Sequence, residues 1–153
     1  MERVADYPRP PRLERDPRRV QVVFAGVTIV DTDAAWRVLE TTHPPSFYLP
    51  MSAFAAGTLV GSARSSFCEW KGHAQYFSIH AAGRVAADCA WGYADPSPAF
   101  AAIRDHVALY AGPMDGCFVD GERVVPQEGG FYGGWITSEL IGPFKGGPGT
   151  MFW

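Results

Sequence analysis

The chain has little lysine, little cysteine and no long apolar run, and each shortage excludes something. Only two of its 13 basic residues are lysines, Lys71 and Lys145; the other 11 are arginines. Six of those arginines fall within residues 1–19, and the formal net charge is −3. The remainder of the chain is acidic, so nucleic acid is not an expected partner. Three cysteines, Cys68, Cys89 and Cys117, are an odd number without a C-x-x-C. That argues against a disulfide scaffold and against a four-cysteine zinc knot, and no metal site is expected. No stretch approaches the roughly 20 apolar residues of a membrane span. Met1–Asp6 lacks the apolar core of a secretion signal. The expected setting is a reducing cytoplasm, with no membrane partner.

What is present is aromatic and turn-rich: 10 Phe, 5 Trp, 6 Tyr, 17 Gly and 13 Pro in 153 residues. That many rings can build a core, which excludes disorder as the main state. Pairs of β-rich runs flank glycine turns three times: Val20–Phe24 and Val27–Val30, Tyr76–His80 and Arg84–Ala87, Cys117–Val119 and Glu122–Val125. The third has Asp120-Gly121, the strongest short hairpin signal, because a type I′ turn needs positive φ at both central residues. The first two hairpins continue alike, through Trp36 to Tyr48-Leu49-Pro50-Met51 and through Trp91 to Leu109-Tyr110 and Pro113-Met114. This suggests a degenerate internal duplication. Helix is scarce. Ala34–Glu40 behind Asp31–Asp33 reads as two turns, and Pro98–Asp105 behind Ser97 as a second short helix. Phe54–Ser66 reads as a loop or lid, and Gly142–Trp153, full of Gly and Pro, as a surface wrap. Residues 1–19 read as a solvated Pro/Arg arm, 20–141 as the β domain and 142–153 as a tail.

The densest chemistry lies at Phe67–Phe77. Read as extended, Phe67–Lys71 places Cys68 and Trp70 on one face, with Gly72 free to bend. Lys71 among aromatics has two readings: a stem covering Trp70 and Phe77, or an ammonium whose pKa burial lowers toward that of a base. Cys68 is a small hydrophobe or a thiolate beside Lys71 or His73. Tyr76 is a strand residue or a proton donor. Trp91 and Tyr93 alternate onto one face and can wall a pocket, or simply pack. His43, held extended before Pro44-Pro45, is a structural histidine or an acid–base group. Asp88 reads as a backbone-bonding residue. Glu128–Trp135 is glycine-rich but lacks the G-x-x-x-x-G-K-[ST] of a phosphate loop, so close backbone approach is its expected role.

Four segments together resemble a known family. They are Cys68–Tyr76 (C-x-[YW]-K-G-x-A-x-Y), Ala90–Pro96 (A-W-x-Y-x-x-P), Ala108–Asp115 and Phe131–Thr137 (F-Y-G-G-W-x-[TS]). Leu39–Pro45 fits as well. In their order they resemble domain-of-unknown-function family 427, over nearly the whole chain. The resemblance implies a compact, mainly β domain common in bacteria and fungi. It implies little about the reaction. A nucleotidyltransferase label attached to the family finds no support in the residues: such transfer needs carboxylates around two metal ions, and positions 71–77 read Lys-Gly-His-Ala-Gln-Tyr-Phe where an Asp-x-Asp belongs. Phe67 and Met51–Phe54 are more apolar than the family pattern, which points toward a specialised member.

The expected fold is mainly β, a single compact domain of two similar β units, as a small barrel or sandwich with one or two short helices. The expected function is a cofactor-independent enzyme acting on a small, partly apolar molecule by acid–base chemistry. Lys71, Tyr76, Cys68 and His43 are its expected catalytic groups, and Trp70, Trp91, Tyr93, Tyr110, Tyr132 and Trp135 the substrate-binding wall. A non-catalytic ligand carrier of the same fold is the alternative. The only expected partner is a small molecule, with a homodimer left open.

Overall fold

Three two-residue turns fold the chain back on itself, and all three are built alike. Ala25-Gly26, Ala82-Gly83 and Asp120-Gly121 each have positive φ at both central positions, 52° and 73°, 49° and 77°, 47° and 81°. That is the backbone whose twist matches paired antiparallel strands, so each Xaa-Gly pair closes a hairpin.

The computed structural model describes residues 1–153. Its strands are β1 (Glu2–Arg3), β2 (Arg12–Asp16), β3 (Val20–Phe24), β4 (Val27–Thr32), β5 (Ala35–Leu39), β6 (Ser46–Pro50), β7 (Leu59–Cys68) and β8 (Gly72–Ala81). Then follow β9 (Arg84–Gly92), β10 (His106–Leu109), β11 (Gly116–Val119), β12 (Glu122–Arg123), β13 (Val125–Pro126), β14 (Trp135–Ile136) and β15 (Leu140–Ile141). Short 3₁₀ turns occupy Val4–Asp6, Met51–Ala53 and Pro98–Ile103. The fold is mainly β, as expected. A seven-stranded antiparallel sheet has the order β2-β5-β6-β10-β9-β8-β7, and a four-stranded sheet has the order β12-β11-β3-β4. The first and third hairpins lie in the smaller sheet and the second in the larger.

The two sheets pack face to face. Val20, Val22 and Phe24 of β3, with Cys117 and Val119 of β11, meet Phe47 and Leu49 of β6, Ala90 of β9 and Val107 and Leu109 of β10. Strand alternation sends the intervening residues through the large sheet to its other face. There Tyr48, Trp91, Ala108, Tyr76 and Ala74 form a second cluster with Tyr93, Phe100 and Ile103. The central strands are thus buried on both sides, which is why Phe47, Tyr48 and Leu49 read as a continuous apolar run.

Several local expectations are corrected. Ala34–Glu40 is not helical: Ala35–Leu39 is β5, paired on both sides by β2 and β6. Thr32 Oγ1 accepts the Ala34 N–H at 3.1 Å, so the apparent cap builds a turn into a strand. Phe54–Ser66 is no lid, because its second half opens β7, the sheet's outer edge. An edge strand needs only one partner and tolerates small polar residues on both faces. Phe67–Lys71 is extended only through Cys68: Glu69–Lys71 form a tight turn across which Cys68 pairs with Gly72, and Gly72 has φ 110°. Pro98–Asp105 shrinks to the 3₁₀ turn Pro98–Ile103, interrupted at Phe100.

The first 19 residues are not a solvated arm. β2 is the other edge of the large sheet, and Val4 and Tyr7 pack with Leu39 and Leu140. The arginines there find carboxylates: Arg18 with Asp16 and Glu139 at 2.7 and 2.6 Å, Arg9 with Glu40 at 3.5 Å. Buried Arg37 is met by Glu2 and Glu14.

Candidate functional site

On the outer face of the large sheet lies a cavity of about 300 Å³. Its floor is the sheet itself, through Tyr48 of β6, Tyr76 of β8 and Trp91 of β9. The β7–β8 turn forms a second wall with Cys68, Trp70 and Lys71. The segments around His43 and around Phe131-Tyr132-Gly133 form the third. Nine of the ten residues expected at a site line this one cavity: Lys71, Tyr76, Cys68, His43, Trp70, Trp91, Tyr93, Tyr110 and Tyr132. The tenth does not. Trp135 is 1% exposed, lies between the sheets stacked on Phe47 at 5.1 Å, and donates its indole N–H to the Leu109 carbonyl at 3.1 Å. It is core. Tyr132 lies in the irregular segment before β14, which begins at Trp135.

The β7–β8 turn is held from outside. Ser97 Oγ donates to the Trp70 carbonyl at 2.5 Å, and the Ser97 N–H to the Lys71 carbonyl at 3.0 Å. Ser97 therefore pins the turn instead of capping a helix. This aims Lys71 across the rings of Tyr93 and Phe100, each centroid 5.8 Å from Nζ. Burial weighs against the ammonium, but ionisable Tyr48 and Cys68 and the Glu40 carboxylate weigh for it. The net pKa lies above the usual lysine value. That direction favours the ammonium form of Lys71 over a free amine, and so the anion-stabilising expectation over that of a base.

His43 behaves oppositely. Burial lowers its pKa below the usual histidine value, outweighing the Thr41 carbonyl and Glu40. Its Nδ1 lies 2.9 Å from the Thr41 carbonyl. A carbonyl only accepts, so Nδ1 carries the proton and Nε2 keeps its lone pair. The ring also meets Tyr132 edge-on at 4.8 Å.

The phenols divide by role. Tyr110 donates to the Phe131 carbonyl at 2.8 Å, which fixes it as a wall beside Trp91. Tyr76 shares a 3.2 Å bond with Ser66, under the Arg64 guanidinium at 4.5 Å from its ring. Tyr48 accepts the Trp91 indole N–H at 3.2 Å. Burial raises the pKa of Tyr48 and of Tyr93, so both are neutral donors at physiological pH.

Glycines make the third wall close. A Cβ on Gly133 would lie 2.1 Å from the Trp91 ring, and one on Gly134 2.4 Å from the Pro44 carbonyl. Buried Gln127 ties that wall to the tail, accepting from Gly134 N–H at 3.0 Å and donating to the Lys145 carbonyl at 2.7 Å. Lys145 sits 5.1 Å over the Tyr132 ring at the rim. Asp88, at φ 51°, accepts the Ser62 hydroxyl outside the cavity and has no place in it.

Tyr48, Glu40 and Gln127 are lining residues that sequence reasoning did not single out. Tyr48 had a signal, since it is the one polar ring in a buried strand and faces away from Phe47 and Leu49. Gln127 had none. No three His, Cys, Asp or Glu side chains come together as a metal-ligand group, and no helix is long and apolar enough to cross a membrane. A family model described as a domain of unknown function (DUF427) matches residues 12–120. Part of the third wall, Gln127, Phe131, Tyr132 and Gly133, lies beyond that span. No curated protein matches the chain.

Proposed function

The chain belongs to the DUF427 family, and from that premise we propose that it is a cofactor-independent enzyme acting on a small, partly apolar organic molecule by acid–base chemistry. The observation that carries this reading is the pairing of charge states in one aromatic cavity: a cationic Lys71 and a neutral His43 with a free Nε2. Nε2 takes a proton from a carbon next to a carbonyl. Lys71 and the Tyr48 hydroxyl stabilise the oxyanion that develops. Tyr76 returns a proton on the opposite side. Trp70, Trp91, Tyr93, Tyr110 and Tyr132 hold the apolar body, and Cys68 hydrogen-bonds the lysine. Isomerisation, cyclisation and elimination all begin with that proton transfer. Three free thiols suit a cytoplasmic setting.

The test is proton exchange. Small ketones and β-dicarbonyls with a flat apolar body are incubated in deuterated water, and loss of the α-proton is followed by NMR. The protein should accelerate exchange for at least one of them. His43→Gln should lower that rate by about 10²–10⁴-fold, the usual contribution of a general base. Ligands that bind without exchange in the native protein would establish the carrier reading and end the enzymatic one.

A further inference from the structure

We infer that the cavity selects a flat ligand bearing one anionic oxygen group, a carboxylate or phenolate, seated on Lys71 and the Tyr48 hydroxyl. This rests on the reading of the cavity as a small-molecule site and adds the class of ligand. Every ion pair in the chain uses an arginine. Lys71 has no carboxylate within ion-pair distance, although it is half-buried among rings. Glu40, a carboxylate of the same cavity, is engaged by Arg9 at 3.5 Å. Cys68, which hydrogen-bonds the ammonium, and the more distant Glu40 ease the cost of its burial, but no counter-ion pairs with it. Rings at 5.8 Å soften that cost but do not neutralise the charge.

Tyr48 adds a phenol to the same cavity. It is 1% exposed. Its oxygen accepts the Trp91 N–H at 3.2 Å. An ammonium with no paired counter-ion and a phenol hydroxyl on one cavity suit an oxygen with negative charge. The remaining lining is aromatic, with Trp91 4.8 Å from Tyr110 and 6.4 Å from Tyr76, centroid to centroid, and it suits the apolar face of a ring. At about 300 Å³ the cavity is within the range of small-molecule sites.

The experiment is a binding titration, independent of turnover. Benzoate, 4-nitrophenolate, benzamide and benzylamine are titrated by NMR and calorimetry against the native protein, Lys71→Met, Lys71→Arg and Tyr48→Phe, with circular dichroism confirming the fold. One or both anions should bind the native protein at least about tenfold more tightly than benzamide, and benzylamine should be weakest. Preference for benzoate or for 4-nitrophenolate identifies which anion the site takes. Lys71→Met should abolish the preference, Tyr48→Phe should reduce it, and Lys71→Arg should retain part of it. Benzamide binding as tightly as both anions, an undiminished preference in Lys71→Met, or no binding of any probe at millimolar concentration would overturn the inference. Anion binding that depends on Lys71 in a protein that exchanges no protons would remove the enzymatic reading and leave the anion site standing.

Discussion

The two faces of the seven-stranded sheet are built from the same strands and do opposite things. The inner face, against the small sheet, is aliphatic and dry: Leu49, Val107, Leu109, Ile79 and Ala90 are at most 1% exposed. The outer face carries Tyr48, Tyr76, Trp91 and Tyr93, rings with polar handles, and leaves a cavity among them. Each inner residue is next in sequence to an outer one, as Leu49 follows Tyr48 and Trp91 follows Ala90. Stability and chemistry are therefore separated by strand alternation and not by position in the chain.

The cysteines offer the largest way to break this contrast. Cys89 and Cys117 lie on the inner side, 2% and 1% exposed, and burial pushes the Cys89 thiol up to about 11 and the Cys117 thiol higher still. Cys68 lines the cavity. A small alkylating reagent reaches the inner thiols only through opening of the core, at a cost up to the global stability of about 5–15 kcal/mol. Iodoacetamide labelling followed by mass spectrometry should modify Cys68 alone, by orders of magnitude in rate. Comparable labelling of Cys89 would show that the inner face is not closed.

A truncation tests the same contrast by energy. Leu49→Ala removes the side chain beyond Cβ from the dry face and should cost about 2–5 kcal/mol in chemical denaturation. Tyr48→Phe, one residue away, removes only a hydroxyl and the acceptor for the Trp91 N–H, and should cost about 1–3 kcal/mol. Equal losses at both positions would mean that the outer face supports the fold as much as the inner one.

Much of this was legible in the residues, and what was not has physical causes. The hairpins were readable because Ala-Gly and Asp-Gly turns specify their own backbone. The cavity was readable because its residues cluster in four short aromatic segments. β5 was misread as helix because Asp31–Asp33 looks like a cap, while its two strand partners, β2 and β6, are remote from that local pattern. β7 was misread because an edge strand carries no buried alternation. Trp135 was misplaced because a motif groups neighbours in sequence, whereas the chain passes from irregular backbone at Tyr132 into a strand that starts at Trp135. The surroundings of Lys71 include Glu40 and Tyr48, 31 and 23 residues away in sequence and absent from any motif around the lysine.

The smallest effect is the pH dependence carried by His43, a cavity residue. On the cavity side His43 faces Glu40, Lys145, Arg9 and the Tyr132 ring, and burial holds its pKa below the usual histidine value of 6.5. Below about 6.5 the unfolded chain takes up a proton that folded His43 refuses, so folding must lose stability as pH falls, by less than about 1.4 kcal/mol per pH unit for one group. His43→Asn keeps an N–H donor for the Thr41 carbonyl but cannot titrate. Denaturation at pH 7.5 and 5.5, roughly either side of the histidine range, should show a steeper loss in the native protein than in the variant. The other three histidines, His73, His80 and His106, are common to both proteins and cancel in that difference. Equal slopes would mean that His43 is as readily protonated folded as unfolded, and the cavity would then hold two cations instead of a cation and a base.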